Sequence, residues 1–386
     1  MSLSKLILPG EAIGIIGGGQ LGKMMALSAK AMGFRVIVLD PTEDCPCGQV
    51  ADEQIVGSYD DLEKIKQLSD SSDVITYEFE NIDADALDWL NKHAYVPQGT
   101  ELLRVTQDRI EEKRNIQAAG VRVAPYAVVT RVEDVRAGVE ELGVPAVLKT
   151  ARGGYDGKGQ LVIRSVDDIP LAETLVSQGA CVLEKWIPFE KEISVIITRG
   201  TNGESAVFPV AENIHKENIL HQTIVPARIS SAAEVKAMEA AEQIASALGL
   251  VGTLAVEMFL AEKDELYINE LAPRPHNSGH YSIEACETSQ FEQHIRAVCG
   301  WPLGSTNLLK PAVMVNILGQ HQQPLLDKIT DLQDWKIHLY SKKEAKYKRK
   351  MGHVTLLRET VEQALTEAEQ SGIWEGATEM IGGQKR

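Results

Sequence analysis

The chain has 386 residues, 44% hydrophobic and 24% charged, with a formal net charge of −16. That length suits two or three domains around a substantial core, and the acidic balance argues against a nucleic-acid partner, whose phosphates would repel it. Phosphorylated small molecules remain possible, because they need only a local cluster of Lys and Arg.

The first hundred residues alternate strand and helix patterns. Ala12–Ile16 reads as a buried strand, residues 20–32 as a helix and residues 35–39 as a second strand. Residues 60–68 have a helical pattern with a polar face, and Val74–Tyr77 is strand-like. Strands separated by helices predict a parallel sheet covered on both faces. A charged helix follows over 106–119, with Thr106 as candidate N-cap and Gly120 as its stop. Residues 145–149, 159–163 and 181–185 are short β runs around a Gly-rich loop, with one helix near 167–178. This predicts a small α+β lid. Residues 193–198, 206–210, 252–260 and 266–271 are further strands whose β-branched content predicts a larger sheet, and 233–248 is an Ala-rich helix. The tail carries a basic cluster at 342–350 and a helix over 360–371. No apolar run of about 18 residues marks a membrane span. Five Cys, with Cys45-Pro46-Cys47 lacking a neighbouring His or Cys to complete a zinc site, read as reduced thiols. With no signal peptide in the opening residues, a cytoplasmic protein is expected.

Gly17-Gly18-Gly19-Gln20-Leu21-Gly22 fits G-x-G-x-x-G between a strand and a helix. Asp40 closes the next strand, near where a dinucleotide enzyme reads a ribose hydroxyl. The physics is less specific, because backbone N–H groups at a helix N-terminus hold any anion. Nothing downstream resembles a hydride-transfer site. A seat for a phosphorylated substrate is the expectation; a close-packing turn and a nicotinamide site are the alternatives.

Five features then occur in one order: Asp108-Arg109 with Lys113; Lys149 at the end of a lid strand; the run Gly153-Gly154-Tyr155-Asp156-Gly157-Lys158-Gly159-Gln160; Glu184-Lys185-Trp186-Ile187 with Glu192; and Glu257 with Asn269-Glu270 on adjacent strand patterns. The order suits a nucleotide. Lys149 can reach phosphates as a point charge, and the Gly-rich loop can close over the terminal phosphate. The Glu184 carboxylate can accept the adenine amino group while the backbone of residues 185–187 meets the ring edge. Glu192 can hold the ribose hydroxyls. Glu257, Asn269 and Glu270 offer hard oxygen ligands for Mg²⁺.

In this order the residues resemble the ATP-grasp superfamily over nearly the whole chain. More narrowly, the 153–159 run, Asn213-Ile214-His215-Lys216-Glu217-Asn218-Ile219-Leu220 and Asn269-Glu270-Leu271-Ala272-Pro273-Arg274-Pro275-His276-Asn277-Ser278-Gly279-His280 are similar to the 5-(carboxyamino)imidazole ribonucleotide synthase family. So are Tyr77-Glu78-Phe79-Glu80-Asn81 and Arg349-Lys350-Met351-Gly352-His353. The resemblance implies an α/β ATP-grasp fold: an N-terminal Rossmann-like pre-ATP-grasp domain over 1–112, a central lid over 113–187 and a larger C-terminal α+β domain over 188–386. It implies a carbon–nitrogen ligase of purine biosynthesis that carboxylates 5-aminoimidazole ribonucleotide with ATP and bicarbonate, through carboxyphosphate, using Mg²⁺ or Mn²⁺, in a homodimer.

By the same resemblance, ATP is expected on Arg109, Lys149, Gly154, Tyr155, Asp156, Gly157, Lys158, Gly159, Gln160, Glu184, Lys185, Trp186, Ile187, Glu192, His215, Asn269 and Glu270, with Glu257 and Glu270 on the metal. Tyr155, Asp156, Arg274, His276, Asn277, Lys342 and Arg349 are expected to face the ribonucleotide and carboxyphosphate. Family members commonly carry Arg-Pro-Gly where this chain has Lys346-Tyr347-Lys348. Formate-dependent glycinamide ribonucleotide formylation on the same scaffold is the nearest competing reaction. A nicotinamide dehydrogenase and a non-catalytic nucleotide sensor are more distant ones.

Overall fold

The computed structural model describes residues 5–154 and 159–375. Strands β1 (Ala12–Ile16), β2 (Arg35–Asp40), β3 (Glu53–Val56) and β4 (Val74–Tyr77) form a parallel sheet in the order β3-β2-β1-β4. Strands β1 and β4 are buried along their length, as near-continuous apolar runs in a covered parallel sheet should be. The strand reversal beside β1 leaves a crevice at the carboxyl ends of β1 and β4, where Gly17 turns with φ +104 into the helix Gln20–Ala31. A Cβ at Gly22 would meet the Gly17 carbonyl at 2.5 Å, so glycine is what lets this helix pack close to its strand.

The expected helix over 106–119 is two helices. Glu101–Thr106 ends where the Gln107 amide turns to the carbonyls of Glu80 and Ile82, and Asp108, not Thr106, caps the helix Arg109–Ala118 by accepting from the Ile110 and Glu111 N–H groups. The expected boundary at 112 falls inside that second helix.

Strands β5 (Tyr126–Val129), β6 (Ala146–Thr150), β7 (Gln160–Ile163) and β8 (Cys181–Lys185) make a small antiparallel sheet in the order β5-β8-β6-β7, carrying the helix Val132–Leu142. The large sheet has nine strands: β9 (Phe189–Arg199), β10 (Ser205–Val207), β11 (Ala211–Lys216), β12 (Ile219–Val225), β13 (Gly252–Ala261), β14 (Glu265–Ala272), β15 (Ala312–Leu318), β16 (Lys336–Leu339) and β17 (Lys350–Leu357). Its order is β14-β13-β9-β11-β12-β15-β17-β16, with β10 beside β9. The helix Ser231–Ala247 lays a stripe of buried Ala233, Ala237 and Ala241 against it. The five cysteines are free and buried. Among the described residues no helix is long and apolar enough to cross a membrane.

Candidate active site

A cleft of about 760 Å³ opens between the small and large sheets and is lined by residues of both, with Gln20, Leu21 and residues 78–81 from the segments that follow β1 and β4. Antiparallel pairing of β6 with β8 sets Lys149 opposite Val182, two residues from Glu184 and on the same face of the sheet. Glu184 is 3% exposed, and Lys113, from the helix Arg109–Ala118, 1%. Lys113 Nζ stands 3.1 Å from one Glu184 oxygen and Lys149 Nζ 3.1 Å from the other. Burial opposes the carboxylate charge, but the two ammonium groups win and hold the Glu184 carboxyl down to about 2. Lys149 also donates to Asn269 Oδ1 at 3.3 Å. Glu184 therefore anchors the phosphate-reaching lysine. Both Glu184 oxygens thus face lysines, beside the 185–187 segment expected to meet the adenine edge.

The apolar wall beside it is made by Ile187, Phe189 and Phe259, whose rings stack at 4.6 Å and 10°. At the floor, β13 and β14 pair Glu257 directly with Glu270. Burial, then the Glu270 charge, pushes the Glu257 carboxyl up to about 7, eased by His215. Arg109 Nη1 lies 3.2 Å from Glu270, and Glu192 lies 3.0 Å from His215 Nδ1. Glu112, pushed up to about 8 by burial, accepts the Leu271 N–H at 2.8 Å and ties its helix to the strand carrying Glu270.

The third wall is the segment after β14. Arg274 pairs with Glu80 at 2.6 Å, and His276 Nε2 faces Glu257 at 3.4 Å. Asn277 lines the cleft, but its amide makes both its side-chain bonds with Asn316, at 3.0 and 2.8 Å.

The glycine motif holds the protein's own carboxylates. Glu78 accepts from the Gly19 N–H and, at 2.6 Å, from the Gly22 N–H, while Asp40 accepts from Gly18 and Thr42 at 2.7 Å each and from the Tyr59 hydroxyl. Asp40 is thus held by three donors of the protein itself at the position where a dinucleotide enzyme would read a ribose. The distant basic segment comes to the same place. Lys342 donates to the Lys350 carbonyl and is pushed down to about 8, first by burial and then by Arg349, while the nearby Glu78 charge acts the other way. Lys23, on the glycine-motif helix, donates to Ser341 at 2.9 Å. Lys343 points outward to Asp44. Lys342 and Arg349 thus stand beside the glycine motif and not in the cleft wall.

Family models match in three segments: a ribonucleotide synthetase preATP-grasp domain over 11–107, an ATP-grasp domain over 114–291, and a phosphoribosylaminoimidazole carboxylase C-terminal domain over 312–367. The N5-carboxyaminoimidazole ribonucleotide synthase of Bacillus subtilis is 56% identical over 363 residues, covering 94% of this chain and 96% of that one. The chain belongs to the N5-carboxyaminoimidazole ribonucleotide synthase family. A synthetase of that family solved as its ADP complex is 58% identical with a TM-score of 0.95, covering 97% of this chain and 99% of its own. The Aspergillus clavatus synthase, solved with ADP and 5-aminoimidazole ribonucleotide, is 31% identical with a TM-score of 0.89, covering 95% and 98%.

Set against this family, the residues expected at the nucleotide gather well. Arg109, Lys149, Gly154, Gly159, Gln160, Glu184, Lys185, Trp186, Ile187, Glu192, His215, Asn269, Glu270 and Glu257 line the one cleft, with Arg274, His276 and Asn277. Tyr155, Asp156, Gly157 and Lys158 lie outside the described residues. Sequence reasoning passed over Glu112, Phe189 and Phe259, which also line it. Phe259 was within reach, since it lies two residues beyond Glu257 on one strand and so shares its face.

Proposed function

We propose that this chain carboxylates 5-aminoimidazole ribonucleotide with ATP and bicarbonate, releasing ADP and phosphate, as a step of purine synthesis. One observation carries the reading: the Glu257–Glu270 floor, the Arg274–His276 wall and the basic glycine-motif corner adjoin, so a nucleotide and a sugar phosphate can meet end to end. The ligands of the Aspergillus clavatus relative support the same two occupants.

The opposed carboxylates fit a divalent cation. Burial, with the Glu270 charge beside it, pushes the Glu257 carboxyl up to about 7, so a positive charge between the two carboxylates would be favourable. No group of three acidic, imidazole or thiol side chains gathers there among the described residues, so nucleotide phosphates and water would supply the other ligands of Mg²⁺ or Mn²⁺. Such a cation, when bound, neutralises charge developing on the transferred phosphoryl group.

In the reaction a bicarbonate oxygen attacks the γ-phosphorus, the bond to the ADP oxygen breaks, and carboxyphosphate forms. The ribonucleotide amine then attacks the carboxyl carbon. Phosphate leaves with the bonding pair, and the nitrogen gives up a proton. Lys149 and Arg109 hold the nucleotide phosphates, Arg274 and His276 hold the carboxyphosphate oxygens, and Tyr155 and Asp156 fix and deprotonate the amine. Water, which would hydrolyse the intermediate, has to be kept from the closed cleft. The 113–187 lid closing on the 1–112 and 188–386 parts, in a cytoplasmic homodimer, completes the proposal.

Steady-state kinetics with the ribonucleotide varied test the reading at its sugar-phosphate end. Arg349 is exposed, no carboxylate pairs with it among the described residues, and its planar fork suits a phosphate. A charge-assisted hydrogen bond contributes roughly 1.5–3 kcal/mol, so Arg349→Ala should raise the ribonucleotide KM about ten- to a hundred-fold, at about 1.4 kcal/mol per factor of ten. The ATP KM should stay put. Lys346 pairs with Glu344 at the surface, and Lys346→Ala should change neither. An unmoved ribonucleotide KM in Arg349→Ala, or a larger effect from Lys346→Ala, contradicts this placement.

A further inference from the structure

Behind His276 runs a line of buried polar side chains that the reaction does not touch. Thr223 on β12, Asn213 on β11 and Ser194 on β9 come from three neighbouring strands, and Ser278 follows the histidine in the turn after β14. Their exposures are 0%, 6%, 0% and 0%. The Thr223 hydroxyl donates to Asn213 Oδ1 at 3.0 Å, Asn213 Nδ2 donates to Ser194 Oγ at 2.8 Å, and the Ser194 hydroxyl donates to Ser278 Oγ at 2.9 Å. Ser278 Oγ lies 2.9 Å from His276 Nδ1.

Such a chain has a direction. An amide NH₂ only donates, so Ser194 accepts from Asn213, and its own hydroxyl donates to Ser278. The Ser278 proton is then left to point at His276 Nδ1. An independent contact agrees: the Ser278 backbone N–H, which can only donate, lies 3.3 Å from the same Nδ1. A ring nitrogen that receives two donors carries no proton of its own, so in the neutral ring the proton sits on Nε2. Nε2 is the atom that faces Glu257 in the cleft. The backbone of His276 is gripped as well, because fully buried Gln290 accepts from its N–H at 2.9 Å and donates to its carbonyl at 2.8 Å.

We propose that Thr223, Asn213, Ser194 and Ser278 are positioning residues that fix His276 as its Nε2–H tautomer, so that it meets the reacting oxygens as a hydrogen-bond donor and not as a base. This rests on the reaction proposed above, but the tautomer can be read without it. Leaving a buried polar chain half satisfied is costly, which gives the whole line one preferred arrangement.

The test is ¹⁵N NMR of histidine-labelled protein, with His276→Asn identifying the signals, beside kinetics of Ser278→Ala and Thr223→Val. In the unaltered protein Nδ1 should resonate as a bare ring nitrogen and Nε2 as an N–H. Ser278→Ala should bring in the Nδ1–H form and lower kcat about tenfold, the scale of one lost hydrogen bond, with the ATP KM held within about twofold. Thr223→Val, at the far end of the line and nearly isosteric, should shift the nitrogens in the same sense, and it decides the matter if Ser278→Ala does not fold. An Nδ1–H histidine in the unaltered protein overturns the proposal. So does an unchanged nitrogen pattern in whichever variants fold. A bare Nδ1 in a protein that releases no ADP with the ribonucleotide would sustain the tautomer and overturn the reaction.

Discussion

Glu270→Gln is expected to cut turnover by at least about a hundredfold, the scale on which removal of one charge-stabilising group at a reacting centre is felt, while leaving the fold intact. Glutamine keeps the shape of the side chain but takes one negative charge from the pair that β13 and β14 set face to face. The Glu270 side chain is 41% exposed, so the substitution buries no new unpaired group. Two effects combine. A hard cation loses a charged oxygen ligand, and Arg109, 3.2 Å away, loses the carboxylate that orients it. A Mg²⁺ titration of the variant should need more metal for half-maximal rate and still reach a low plateau. A normal rate at low Mg²⁺ would show that Glu270 serves neither the metal nor the phosphates.

Glu184→Gln should be felt first in stability. The carboxylate stands between two lysines, one of them 1% exposed. Removing one member of a buried ionic group leaves an uncompensated charge and costs about 3–5 kcal/mol. The midpoint of denaturant unfolding should fall accordingly, and Lys149 should lose its anchor and with it much of the ATP affinity. The pH dependence has a defined sign. The folded carboxyl sits near 2, below its ordinary 4.5, so its contribution is present above 4.5 and is lost as pH falls toward about 2. The gap in stability between the unaltered chain and Glu184→Gln should therefore narrow below pH 4.5. A variant as stable as its parent at neutral pH would mean that Lys113 is not held by this carboxylate.

Much of the molecule was legible in the sequence because local pattern and tertiary context agree. The apolar runs of β1, β2 and β4 and the glycine turn between them announce a parallel sheet, and the order from Arg109 to Glu270 announces a nucleotide cleft. Elsewhere local signals were weak. The hairpin of β11 and β12 turns through Glu217 and Asn218 at φ 51 and 63, with no glycine to mark it. The break at 107–108 depends on Gln107 reaching the carbonyls of Glu80 and Ile82, a tertiary contact that spacing does not reveal. The side-chain partners inside the site were hidden for one reason: Lys113 beside Glu184 and Asn316 beside Asn277 come from distant segments. The glycine motif invites any anion, and only the fold brings Glu78 to it.

The central claim is that ATP cleavage here is coupled to carboxylation of an amine. ADP release, followed while ATP, Mg²⁺, bicarbonate and 5-aminoimidazole ribonucleotide are each omitted in turn, measures it most directly. Release should depend on the ribonucleotide, fall when bicarbonate is stripped, and be indifferent to formate. Equal release with formate and glycinamide ribonucleotide, or release that ignores both ribonucleotide and bicarbonate, would contradict it.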